Sequence, residues 1–187
     1  AGVLECLATL YRFDEVRVTS RRAESRESFA LKWSETLRMT VRPVETNEEA
    51  VRGADIAVGG TTSADVMIYE EWVKPGALVI SLARQQFELA GFARMDKVIV
   101  DDWDLNMKNH YFRKMVDTGL FSREQLHAQI ADVASGAKPG RERPEERILI
   151  HTTGLVSQDV AIAHWLFEAA KASGRGVCLP AARDNRP

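Results

Sequence analysis

Apolar and polar positions along this chain switch repeatedly between helical and strand spacing. Residues 2–11 carry apolar side chains at helical intervals, and 15–20, Glu-Val-Arg-Val-Thr-Ser, alternate as a strand does and end in polar residues. The pattern then predicts a charged amphipathic helix over 24–38 and a short strand over Thr40–Val44. A further helix opens at Thr46-Asn47-Glu48-Glu49, where a hydroxyl cap meets an acidic first turn. Asp55–Gly59 and Ala77–Leu82 read as buried strands, the second free of charge and preceded by a Lys74-Pro75-Gly76 turn. A short helix over Phe87–Met95 and a strand over Lys97–Val100 follow. The second half reads as more helical: Leu105–Thr118, then Ser122–Ser135 with Ser122 and Gln125 in capping-box spacing. Gly136–Glu146 reads as a loop, Arg147–Thr152 as a strand, Ser157–Ala172 as a long helix, and Val177–Leu179 as a last strand-like run.

Strands separated by helices at this spacing predict an α/β fold with a doubly wound parallel sheet, because parallel neighbours need crossovers of about a dozen residues or more. A single domain over residues 1–180 is expected, followed by a disordered polar tail at 181–187. The 187 residues suit one globular domain, and 45% hydrophobic with 28% charged residues is ordinary for a packed core.

Twenty-five Lys and Arg against 27 Asp and Glu leave a net charge of −2, so no overall positive field recruits nucleic acid or an anionic membrane. No apolar run approaches the roughly 18 residues of a membrane span. Cys6 and Cys178 are far apart and lack metal-ligand spacing, which points to a reducing cytoplasm rather than a disulfide framework or zinc. The sequence contains no GxSxG, Walker-type loop, HExxH or complete GxGxxG.

In an open parallel sheet, ligands bind at the carboxyl ends of the strands, so the residues just after each strand are the candidates. Ser20-Arg21-Arg22 follows the first strand. Where an NAD-preferring site would place an acidic residue, these cations can clamp a ribose phosphate, which favours NADP; a solvated pair of loop charges is the alternative. Gly59-Gly60-Thr61-Thr62-Ser63 and Thr152-Thr153-Gly154 are small, hydroxyl-rich strand ends that let a flat ligand approach closely, or else ordinary turns with a helix cap. Asp101, Asp102 and Asp104 could ligate a hard cation, but the acidic first turn of a helix is the favoured reading, and no metal is expected. Of the four histidines only His151 falls beside a candidate site.

The segments EVRVTSRRAES, EEAVRGADIAVGGTTS, WVKPGALVISLA, DKVIVDDWD, GAKPGRERPEER and ILIHTTGLVSQDVAIAHWLFEAAKASGRGVCL, in this order and spacing, resemble the ornithine cyclodeaminase/mu-crystallin family across nearly the whole chain. The resemblance implies a Rossmann-like domain that binds NAD(P), here without the family's first strand, glycine loop and amino-terminal substrate domain. It implies a homodimer, or pairing with that missing amino-terminal segment, and a small imine or amino acid as substrate. Ser20, Arg21 and Arg22 fall where family members read the 2′-phosphate, implying NADP, with NAD as the other possibility. Thr61, Thr62 and Ser63 match a strand end facing the cofactor. Ser81 and Leu82 fall near the nicotinamide, and Thr152 and Thr153 match the pair touching its edge. Gln85 falls where cyclodeaminases carry a catalytic Asp. A carboxamide cannot take a proton as a carboxylate does, so imine reduction fits better than cyclodeamination. The implied function is an NADP-preferring imine or amino acid oxidoreductase, the alternative a non-catalytic, crystallin-like nucleotide-binding module.

Overall fold

The structure, a computed structural model, describes residues 2–63, 65–82, 86–177 and 179. It divides into two compact units, residues 1–153 and 154–187.

The first unit runs α1 (Gly2–Leu10), β1 (Val16–Val18), α2 (Ala23–Leu37), β2 (Val41–Pro43), α3 (Asn47–Val51), β3 (Ile56–Gly59), β4 (Leu78–Leu82), β5 (Lys97–Val100), α4 (Trp103–Asn106), α5 (His110–Asp117), β6 (Ala128–Gln129), α6 (Ile130–Ala134) and β7 (Ile148–Thr152). Every strand pairing is parallel. The α/β architecture read from the sequence is present, with its strands shared between two sheets: β1 with β2, and β3-β4-β7-β5-β6. The last strand of the unit thus enters between β4 and β5, which explains why its apolar residues Ile148 and Leu149 are buried. The second unit is built on α7 (Val156–Ala172), which exposes Val160, Ile162, Trp165, Leu166 and Phe167.

Each sheet has its own core. Ala30 and Trp33 of α2 meet Val41 of β2, with Val16 and Val18 packed against them. The larger core places Phe87, Phe92, Trp103, Phe112, Met115 and Phe121 against Val79, Val98, Val100 and Leu149 of the central strands. Alternation along β4 and β7 sends Val79, Ser81, Leu149 and His151 to this face.

Three sequence expectations change. The helix expected over Leu105–Thr118 is two, α4 and α5. Asn109 Oδ1 accepts from Tyr111 N at 2.9 Å and starts α5 afresh, while Asn106 turns its side chain back onto Asp101. The helix expected over Ser122–Ser135 is a 3-10 turn, β6 and α6. The Ser122–Gln125 capping box is there, but His127 N–H donates to Val98 O at 3.0 Å and draws the chain into β6 beside β5. The strand-like run at 177–179 is not a strand at Val177 or Leu179, both exposed. Cys178 and the tail at 181–187 lie outside the described residues.

The amino ends of the five-stranded sheet are tied by ion pairs. Lys74 Nζ meets Asp55 at 2.7 Å, and Arg147 bridges Glu70 and Asp96. Lys97, buried at the start of β5, donates to Glu142 at 2.6 Å and to Gly140 O at 2.6 Å, and pairs with buried Glu146 at 3.1 Å. These bonds anchor the Gly136–Glu146 loop before β7. The Glu142 main-chain N–H, aided by Lys97, outweighs burial and holds Glu146 down at about 2.

Candidate functional site

Parallel pairing points all carboxyl ends the same way, and the register sets neighbours there side by side. Gly59 pairs with Ser81, Ser81 with His151, His151 with Val100, and Leu82 with Thr152. Three of the strand ends singled out in the sequence, those of β3, β4 and β7, therefore lie on consecutive strands. Ser20, Arg21 and Arg22 sit in the other sheet, between the end of β1 and the start of α2, with both arginines exposed. Arg22 is the N-cap of the 15-residue helix α2 and makes no side-chain cap, its carbonyl taking the Ser25 N–H at 3.2 Å.

After β3 the chain is fixed by a buried amide. Gln86 Nε2 donates to Thr61 O at 2.5 Å, and Gln86 O accepts from Met67 N at 2.9 Å and Ile68 N at 2.8 Å. The same side chain fills the space beside Gly59: a Cβ there would stand 2.6 Å from Gln86 Oε1 and 3.0 Å from Gln86 Cβ. Gly59 is thus small because Gln86 packs on it. Thr61 Oγ1 accepts from Ser63 N at 3.1 Å, a turn built by the side chain, and Thr62 is exposed.

The end of β7 is fixed by a buried carboxylate. Asp101 Oδ2 accepts from Thr153 N at 2.7 Å and Thr153 Oγ1 at 3.4 Å. Its Oδ1 accepts from Asp102 N at 3.0 Å and Asn106 Nδ2 at 2.6 Å. Asp102 caps α4, accepting from Leu105 N at 2.7 Å, as expected of an acidic first turn. Among the described residues no group of three or more His, Cys, Asp or Glu is placed to hold a metal ion.

His151 is not an exposed base at a cofactor edge. It lies in the core, stacked on Phe112 at 5.8 Å and edge-on to Phe92, with Nδ1 3.2 Å from Ser81 Oγ. Burial pushes its imidazole down to about 4, against the pull of Asp101's charge, so it is neutral near pH 7. Ser81 is fully buried and bonded to His151, so its hydroxyl faces the core. Leu82 and Thr152 lie half-buried on the opposite face. Gln85 lies outside the described residues.

Residues 2–174 match the ornithine cyclodeaminase/mu-crystallin family. The chain belongs to that family. It is 27% identical over 181 residues to a Δ1-pyrroline-2-carboxylate reductase of Bacillus cereus, covering 94% of this chain and 55% of the relative. An archaeal alanine dehydrogenase dimer with bound NAD superposes with a TM-score of 0.84 at 28% identity, over 96% of this chain and 57% of that one. The Thermococcus litoralis Δ1-pyrroline-2-carboxylate reductase in complex with NADH and L-proline shares the fold, with a TM-score of 0.85 at 21% identity over 95% and 56% of the two chains. The chain spans about half the length of the curated relatives it matches. In this member of the ornithine cyclodeaminase/mu-crystallin family, two side chains with structural roles at the site escaped the sequence reading: Gln86, and Asp101 in its role toward Thr153. Only the small residues they hold carried a signal, since nothing local in sequence links Gln86 to Gly59 or Asp101 to Thr153.

Proposed function

We propose that this chain is the nucleotide-binding part of an oxidoreductase that prefers NADP and acts on a small imine or amino acid. The observation that carries the reading is the alignment of three small, firmly held strand ends, Gly59–Ser63, Ser81–Leu82 and Thr152–Thr153, across consecutive parallel strands. The nicotinamide supplies or accepts the hydride. The protein binds, orients and excludes water: Gly60 lets the ligand approach the main chain, and Thr61, Thr62 and Ser63 offer hydroxyls, that of Ser63 held by Asp65 at 2.8 Å. Thr152 and Thr153 border the reacting edge, and Ser20, Arg21 and Arg22 take the 2′-phosphate at the N-terminus of α2. The relatives' activities on pyrroline-2-carboxylate and alanine support a substrate with a carbon–nitrogen bond to oxidise or reduce. The dimer seen in the archaeal alanine dehydrogenase supports a homodimer here.

Fluorescence titration of the whole protein with NADPH and NADH tests the reading. NADPH is expected to bind more tightly, and the double variant Arg21→Ala/Arg22→Ala to lose about tenfold or more in NADPH affinity while NADH binding stays the same. Equal affinities in the wild type would overturn the NADP preference, and binding of neither would overturn the reading. Gln85, a carboxamide at the family's carboxylate position, favours a second reading as a non-catalytic binding module. Binding without turnover of any cyclic ketimine across the pH range would decide for it.

A further inference from the structure

We propose that Asp101 is a positioning residue for the nicotinamide half of the cofactor, acting through Thr153 rather than by touching the ligand. The inference rests on the nucleotide-binding reading above and deepens it. Asp101 lies one residue past β5, yet its Oδ2 takes both the main-chain N–H and the hydroxyl of Thr153, 52 residues away at the end of β7. Its other oxygen is held by Asp102 N and by Asn106 Nδ2, two bonds that fix the carboxylate's plane. Asp101, Asn106 and the Val100 side chain next to them are buried, so this brace is shielded from water and its hydrogen bonds are stiff. Two consequences follow for Thr153. Its N–H is directed inward and is not available to a ligand, and its hydroxyl leans on the same oxygen through a long, weak bond of 3.4 Å, which leaves the hydroxyl oxygen's lone pairs able to accept. The strand end is thereby set as a hydrogen-bond acceptor of fixed position. A ring carboxamide, whose NH2 group donates, is the part of a pyridine nucleotide that such an acceptor suits. The adenosine half, assigned to Arg21 and Arg22 at the other sheet, does not depend on this brace.

The test compares two ligands on the whole protein: NADPH, which spans both halves, and adenosine 2′,5′-bisphosphate, which carries only the phosphate-bearing half. Asp101→Ala is expected to weaken NADPH about tenfold and to slow hydride transfer, while adenosine 2′,5′-bisphosphate binds as in the wild type. Asp101→Asn is expected to fall between the wild type and Asp101→Ala. Its carboxamide oxygen still accepts from Thr153, but its NH2 group faces the Asp102 N–H and Asn106 Nδ2, two donors that Asp101 Oδ1 accepts from in the wild type. Should Asp101→Ala not fold, Asp101→Glu, which keeps the charge but displaces the carboxylate by one methylene, serves for the same comparison. Equal weakening of both ligands by Asp101→Ala, or no change in either, would overturn the proposal. A wild-type protein that binds neither ligand would instead remove the nucleotide reading on which it rests.

Discussion

The two ends of the five-stranded sheet are held together by different chemistry. At the amino ends, charged side chains pair with each other, Lys74 with Asp55, Arg147 with Glu70 and Asp96, Lys97 with Glu142 and Glu146, and the main-chain groups they also take, such as Gly140 O and the Glu142 N–H, belong to the loops they hold. At the carboxyl ends, single polar side chains grip main-chain groups: Gln86 holds Thr61, and Asp101 holds Thr153. An ion pair between long side chains tolerates small displacements, whereas a buried amide or carboxylate bonded to a main-chain atom fixes that atom's position. The amino ends are therefore built for holding loops down and the carboxyl ends for presenting small residues at set places. Ligand binding should depend on the second set and be insensitive to the first.

The strongest test of that division is Lys97→Ala. Lys97 is buried between two carboxylates, and removing it leaves buried Glu146 to the exposed Arg143 at 3.5 Å while the Gly136–Glu146 loop loses its anchor. A fall in Tm of about 10 °C is expected by scanning calorimetry. Nucleotide affinity, measured on the fraction that remains folded, should stay at the wild-type value. A large affinity loss with little change in Tm would dissolve the distinction between the two ends.

Acid separates the same two regions by pH window. His151 is held at about 4 from an ordinary 6.5. Between these values the unfolded chain binds the proton and the folded one does not, so its contribution to stability is complete above pH 6.5 and is lost as pH falls through 4. The shift corresponds to about 3 kcal/mol. Glu146, lowered from 4.5 to about 2, contributes fully above pH 4.5, and that contribution is lost as pH falls through 2. Denaturant unfolding across pH should show two successive losses. His151→Phe, which keeps the ring stack on Phe112, should flatten the upper one and leave the lower, and Glu146→Gln should do the reverse. A single loss that both variants diminish would mean that the ends are coupled.

Gly59→Ala probes the close packing at one strand end alone. The added Cβ meets Gln86 at 2.6 and 3.0 Å, and Gln86 is anchored by bonds on both sides of the loop, so the clash cannot be relieved by turning the amide away. A loss of about 2 kcal/mol is expected in denaturant unfolding, with nucleotide binding weakened as well because Thr61 moves with Gln86. Full retention of both would show that Gln86 does not hold the β3 loop.

What could be read from the chain follows the range of the interactions involved. The strands of the five-stranded sheet before residue 101 are short apolar runs between Gly, Pro and charged residues, and Lys97–Val100 was predicted residue for residue. The acidic first turn at Asp102 was legible because a cap acts within three residues. β6 was not, because Ala128 and Gln129 have no strand pattern of their own and pair only because β5 lies alongside. The broken helix at Asn106–Asn109 was missed for a related reason: Asn106 is a poor but tolerable helix residue until Asp101 is present to accept from it. At the site, the small residues at the strand ends were visible in the sequence. The side chains behind them were not, since Gln86 and Thr61 or Asp101 and Thr153 meet only after the sheet has formed. The inward turn of His151 escaped for want of one fact, the face of β7 to which position 151 belongs, and that is set by register.

The smallest expected effect comes from Asp102, next in sequence to Asp101 and of the same chemistry, yet assigned a local role. Its carboxylate accepts from Leu105 N and starts α4, which spans only four residues, so Asp102→Ala removes one cap bond at a short, partly exposed helix end. The cost should be about 1 kcal/mol by denaturant unfolding, with affinity for NADPH unchanged, because no bond in the structure runs from the Asp102 side chain to the β7 end among the described residues. The pair of neighbouring aspartates makes the comparison within a single turn of chain. One carboxylate serves the helix that follows it, and the other reaches across the sheet to the strand end. If Asp102→Ala weakened NADPH as strongly as Asp101→Ala, the effect would belong to α4 as a whole, and the carboxyl-end brace would reduce to an ordinary helix start.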